Sequence, residues 1–145
     1  MQETIWPGGK SQSREDFGMH IVTSQGTDLA EMLTKSADWS VIENFEDGEG
    51  RVHHVATTRM VFSKLPQVLM ISFDRKSHIH VIEKILIDDY EYNLIASAVH
   101  IGIQRDGHYV SFVKHGEKWY YINDDFINEA TLPETAGHYV LVYNL

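Results

Sequence analysis

From Arg51 onward the sequence runs through one β-rich segment after another, joined by links of hairpin length, and this succession constrains the fold more than any other feature. Val52–Phe62 is β-rich, and Gln67–Phe73 (QVLMISF) is a nearly continuous apolar run of the kind found in strands buried on both faces. His78–Leu86 alternates: His78, His80, Ile82 and Lys84 share one side, Ile79, Val81 and Glu83 the other. Tyr92–Ile103 is long and apolar, and His108–Lys114, Lys118–Ile122 and His138–Tyr143 complete the set. The short polar links Arg105-Asp106-Gly107 and His115-Gly116-Glu117 read as turns. Strands that follow one another so closely pair antiparallel.

Ahead of the strands, Asp28 with Glu31 three residues on reads as a helix cap and its reciprocal partner. Leu29, Met32 and Leu33 then fall on one apolar stripe, and the helix is expected to end between Ser36 and Trp39. Residues 1–26 are rich in Gly, Ser, Gln and charge, and Pro7-Gly8-Gly9 is expected to break any regular element there. Glu43–Gly50, acidic and carrying two glycines, reads as a turn or exposed tip. The expected fold class is α+β, a mainly antiparallel β-sheet with a short N-terminal helix. The expected organisation is an irregular or adaptable segment over 1–26 and a single domain over 27–145.

The chain has 145 residues, 43% of them hydrophobic, enough to bury a core. No apolar run approaches the ~18 residues a membrane helix needs, and the first residues lack the pattern of a secretory signal, so a soluble intracellular protein is expected, with no membrane partner. Residues 1–50 hold ten acidic side chains against three basic ones, within a net charge of −9. That balance argues against nucleic acid as a partner, because phosphate contacts need clustered Lys and Arg. There is no cysteine, which excludes disulfides, thiolate metal sites and a thiol nucleophile from these residues. The pairs His53-His54 and His78-x-His80 lack acidic or thiol companions, so no metal and no cofactor is expected.

Four segments carry a family resemblance. Leu65-Pro66-Gln67-Val68-Leu69-Met70-Ile71-Ser72-Phe73-Asp74-Arg75 is similar to the strand LPxVLxIxLxRF of the ubiquitin-specific proteases. Tyr92–Gly102 (YNLIASAVHIG), followed by Gly107-His108-Tyr109, resembles the block YxLxAVVxHxG…GHYxxY. Lys118-Trp119-Tyr120-Tyr121-Ile122-Asn123-Asp124-Asp125 resembles the box WxxFD/N-D, and Tyr139-Val140-Leu141-Val142-Tyr143 is like the family's closing strand. Each is a weak signal by itself; together, in this order, they are specific. The resemblance covers residues 60–145, with the helix at 28–36 matching the segment before the family's fingers, whereas residues 1–26 match no motif.

The resemblance implies the palm subdomain of a papain-like cysteine protease fold, with His108 as general base, Asn123 as the residue that orients it, and Asp124 as support or substitute. It implies too that Gly102, Gly107 and Tyr109 belong to a loop over the substrate's extended tail. The chemistry asks for the same residue types: thiol catalysis needs an imidazole to move the proton and a third group to fix its tautomer. The family's cysteine box, with its oxyanion-hole asparagine, is absent. Ser11, Ser13 and Ser24 are poor substitutes, being weaker nucleophiles outside any strand-to-helix elbow. Three readings follow: a deubiquitinase half completed by a missing lobe, a catalytically dead pseudo-protease serving as a ubiquitin- or protein-binding scaffold, and a shared fold with an unrelated partner. The implied partner is ubiquitin or a ubiquitin-like protein, with a homodimer or another protein supplying or replacing the thumb lobe, and the implied location is cytoplasmic or nuclear.

Overall fold

The structure is a computed structural model that describes residues 1–14, 20–22, 28–73, 78–102 and 107–145. In chain order the elements are β1 Gln2–Trp6, β2 Gly9–Ser13, β3 His20–Val22, α1 Leu29–Ala37, β4 Ser40–Glu46 and β5 Val52–Met60. There follow β6 Val68–Phe73, β7 Ile79–His80, β8 Lys84–Ile87, β9 Tyr90–Ile101 and β10 His108–His115. The chain closes with β11 Lys118–Asn123, β12 Phe126–Ala130, β13 Thr135–Ala136 and β14 His138–Asn144. Two compact units form, one from residues 1–17 and 33–65, the other from 18–32 and 66–145.

The first unit holds a four-stranded antiparallel sheet in the order β2-β1-β5-β4. Its first hairpin corrects the expectation that residues 1–26 lack regular structure. Trp6 pairs with Gly9, so Pro7 and Gly8 become the two central turn residues, and Gly8 takes φ +94°. Proline at the first central position and a left-handed glycine at the second are what a type II turn requires, so the dipeptide that looked like a breaker is the hairpin itself. Thr4 and Ala56 are buried in this unit, and the Arg59 guanidinium lies 2.6 Å from a Glu3 carboxylate oxygen and over the Trp39 ring. The tip expected over 43–50 is narrower, because β4 runs on to Glu46. The turn is held by Asp47, which accepts backbone N–H bonds from Glu49 and Arg51. His53 bonds the same carboxylate at 2.8 Å and holds it below the usual carboxylate range.

The second unit holds an eight-stranded sheet in the order β12-β11-β10-β9-β14-β6-β3, with β8 on β9; all its pairs are antiparallel except β3 with β6. The α+β expectation therefore holds. One face is the core: Leu69, Ile71 and Phe73 of β6, Leu141 and Tyr143 of β14, Val99 of β9, Val110 and Phe112 of β10 and Trp119 of β11 are all buried. Side-chain alternation along each strand and the cross-strand register put these residues on one side. Leu29 and Met32 of α1 are buried too, and Asp28 caps the helix by accepting the Glu31 N–H at 3.2 Å.

Two strand expectations are corrected. The alternating run His78–Leu86 is not one strand but β7 and β8, separated by a bend at 81–83. Four bonds hold the bend: Val81 N–H donates to the Glu134 carbonyl, Leu94 N–H to the Glu83 carbonyl, the Trp119 indole to the Glu83 carboxylate, and the Tyr143 hydroxyl to the Ile82 carbonyl. Three of these bonds replace ladder partners for Val81 N–H and the Ile82 and Glu83 carbonyls. Conversely β12, missing from the expected set of strands, is a full edge strand. Phe126 and Ile127 are 60% and 64% exposed, so no alternation of burial marks it.

Candidate functional site

His108 opens β10 and Asn123 ends β11. Ser111 pairs with Ile122, and extending that register one step outward sets Asn123 beside Val110, with His108 as its diagonal neighbour on the same face. That face carries Val110, Phe112 and Trp119 further in, so the pair sits where the buried side of the sheet runs out of cover. Diagonal neighbours across antiparallel strands are within reach of long side chains. Here the reach becomes a bond: His108 Nε2 lies 2.6 Å from Asn123 Oδ1. An amide oxygen only accepts, so Nε2 carries the hydrogen and donates it, which leaves Nδ1 with the lone pair. No described residue bonds that Nδ1. A neutral imidazole held through Nε2 with its lone pair on Nδ1 has the arrangement that general acid–base chemistry uses.

The Asn123 amide makes a second bond, its Nδ2 donating to the Tyr121 hydroxyl at 3.3 Å. Tyr121 stands two residues before Asn123 on the same strand face, its ring edge-on to Phe112 at 5.5 Å and to Phe126 at 6.4 Å. Sequence reasoning gives Tyr121 no part in the site; the i, i+2 spacing to Asn123 was the available signal.

The other expected site residues are placed differently. Asp124 does not reach His108 through any described bond. It is the exposed first residue of the two-residue turn between β11 and β12, with φ +50°. Tyr109 belongs to β10 rather than to a loop, and alternation sends it to the opposite face from His108. Its ring packs on His100 at 5.0 Å and on Tyr139 at 5.6 Å. Gly102, with φ +95°, ends β9, and Gly107 immediately precedes β10. The residues 103–106 between them, and so most of the expected Arg105-Asp106-Gly107 turn and tail-facing loop, lie outside the described residues, as do Asp74, Arg75 and Ser24. Ser11 and Ser13 are on the extended strand β2. Of the paired histidines, His53 bonds Asp47 and His80 bonds the Thr135 hydroxyl at 3.1 Å; among the described residues no three metal-ligating side chains converge.

One polar cluster escaped sequence reasoning. His138, 2% exposed, bonds Ser97 Oγ through Nδ1 at 2.6 Å and the Pro133 carbonyl through Nε2 at 2.8 Å. The carbonyl requires Nε2–H, so Ser97 donates to Nδ1 and the ring is neutral. Burial pushes its proton affinity below that of an ordinary histidine, against the Pro133 carbonyl and with help from His78. Beside it, Gly137 accepts the His100 N–H at 2.8 Å, and a Cβ on Gly137 would stand 2.5 Å from the His100 carbonyl oxygen.

Comparison with solved structures gives the same architecture. The SAGA DUB module of Ubp8, Sgf11, Sus1 and Sgf73 bound to monoubiquitin superposes with a TM-score of 0.79 at 21% identity, covering 99% of this chain and 39% of that one. The yeast SAGA DUB module with a variant Sgf73 gives 0.82 at 21% identity, with coverage of 99% and 39%. The module bound to ubiquitin aldehyde gives 0.81 at 19% identity, with coverage of 99% and 40%. The likeness is one of fold, and this chain spans about two fifths of the length of the chains it matches. The sequence match is wider than the motifs suggested, reaching back into the segment where none was legible: the model of the ubiquitin carboxyl-terminal hydrolase family covers residues 8–143, and the chain belongs to that family.

Proposed function

We propose that this chain is the histidine-bearing half of a deubiquitinase domain, recognising ubiquitin or a ubiquitin-like protein and inactive by itself. What carries the reading is the 2.6 Å bond between His108 and Asn123 at the open end of the sheet's core face. In thiol isopeptidase chemistry His108 Nδ1 would take the proton of a cysteine and return it to the departing lysine amine. Asn123 would hold the ring in the tautomer that leaves Nδ1 free. The reading assigns ubiquitin's C-terminal tail a path past Gly107 toward His108, in keeping with the ubiquitin held by the SAGA DUB modules of like fold.

These 145 residues contain no thiol, so no acyl-enzyme forms on them and the nucleophile must come from elsewhere. Loss of the nucleophile from such a unit removes most of its rate enhancement, because the members act together. An exposed pair that stabilises little, yet leaves His108 Nδ1 without a bond from any described residue, favours completion by a cysteine-bearing lobe on a protein partner. The alternative is a pseudo-protease that uses the same face as a binding scaffold, and either role places the protein in the cytoplasm or nucleus. Turnover of a fluorogenic ubiquitin substrate is the test. The chain alone yields none; adding a cysteine-bearing family lobe in trans yields turnover that His108→Ala abolishes. Cleavage by the chain alone would refute the proposal. Tight ubiquitin binding without turnover in the presence of that lobe would establish the scaffold role instead.

A further inference from the structure

We infer that the Tyr121 hydroxyl is a positioning group for the Asn123 amide, holding it in the plane that meets His108. The inference rests on the reading of His108 and Asn123 as the retained dyad. An asparagine amide turns freely about its last torsion unless both its ends are tied, since that rotor has a broad, shallow profile. Asn123 ends its strand and is only half-buried, so packing alone does not fix it. Two bonds do: Oδ1 to His108 at 2.6 Å and Nδ2 to the Tyr121 hydroxyl at 3.3 Å. The hydroxyl is itself held in place, because the Tyr121 ring is gripped edge-on by Phe112 from β10 and by Phe126 from β12. Tyr121, Asn123 and His108 thus form a chain of hydrogen bonds along one sheet face, anchored at its inner end by aromatic packing. Tyr121 touches no reacting atom; it acts through Asn123.

Phenylalanine at 121 keeps the ring contacts and removes the hydroxyl alone. The readout is the tautomer of the His108 ring, taken from long-range proton–nitrogen correlation spectra of the labelled chain, with a thermal melt to verify the fold. In the unaltered protein the Nε2–H form dominates. Asn123→Ala should abolish that bias, and Tyr121→Phe should cut the ratio of the two tautomers about two- to tenfold, the weight of one hydrogen bond, without shifting the melt. A tautomer ratio unchanged by Tyr121→Phe but lost in Asn123→Ala would overturn the positioning role and leave the dyad standing. A ratio unchanged by both would remove the dyad and this role with it.

Discussion

Acidification should destabilise this protein through His138, well away from the acid range of its carboxylates. The imidazole is 2% exposed, donates Nε2–H to the Pro133 carbonyl and accepts from Ser97, and is therefore held neutral. Desolvation lowers its pKa from the ordinary 6.5, and the positive field of His78, when that ring is protonated, lowers it further. A group whose folded pKa is depressed binds its proton more readily in the unfolded chain, so the unfolded state takes up protons first as pH falls. The stability it contributes is complete above 6.5 and is lost as pH drops from there toward the folded value. Within that window the slope is bounded by about 1.4 kcal/mol per pH unit, the free energy of a full proton difference. Each kcal/mol lost lowers the melting temperature by about 4 °C. Urea denaturation at pH 7, 6 and 5 gives the slope for the protein and for His138→Gln, which keeps a donor for Pro133 but cannot gain a proton. The difference between the two slopes isolates His138 from Asp47 and the other acids. Parallel slopes, or a His138 ring that titrates at or above 6.5 by NMR, would refute the reasoning.

Gly137→Ala places a methyl group 2.5 Å from the His100 carbonyl oxygen, inside any allowed contact, and should cost about 1–3 kcal/mol in urea midpoint measurements. Stability within 0.5 kcal/mol of the parent would mean that β9 and β14 yield more easily than packed strands do. Tyr143→Phe leaves the Ile82 carbonyl at the 81–83 bend without its donor and should cost about 1–3 kcal/mol. Asp124→Gly relieves a left-handed backbone at φ +50°, so stability should hold or rise, and the His108 tautomer should not move. A His108 spectrum altered by that change would give Asp124 the supporting role that the family resemblance implies.

The antiparallel sheet was legible because its strands carry β-branched and aromatic runs between short polar links, and Asp28 and Glu31 marked the helix start. Pro7-Gly8 misled because the same dipeptide that stops a helix or a central strand also centres a hairpin turn, and only the strand partners decide between them. β12 left no trace because an edge strand exposed on both sides needs no alternation. The bend at 81–83 coincides with a break in the alternation, where Ile82 and Glu83 exchange sides, but the bonds that hold it come from distant residues, Glu134, Leu94 and Tyr143, whose approach no local pattern encodes. At the site, His108 and Asn123 were readable from motif order, but the parts Tyr121, Tyr109 and Asp124 play depend on which face or turn each occupies. That is a matter of register. His138 looked like the start of a strand, and its burial follows from Ser97 lying 41 residues away in sequence.

Ubiquitin titrated into isotope-labelled protein, followed residue by residue, bears on the whole account most directly. The account predicts saturable shifts concentrated at Gly107, His108 and Asn123, moving together along one binding curve. Ubiquitin that leaves those resonances where they are at millimolar concentration would contradict it, whatever the likeness of fold.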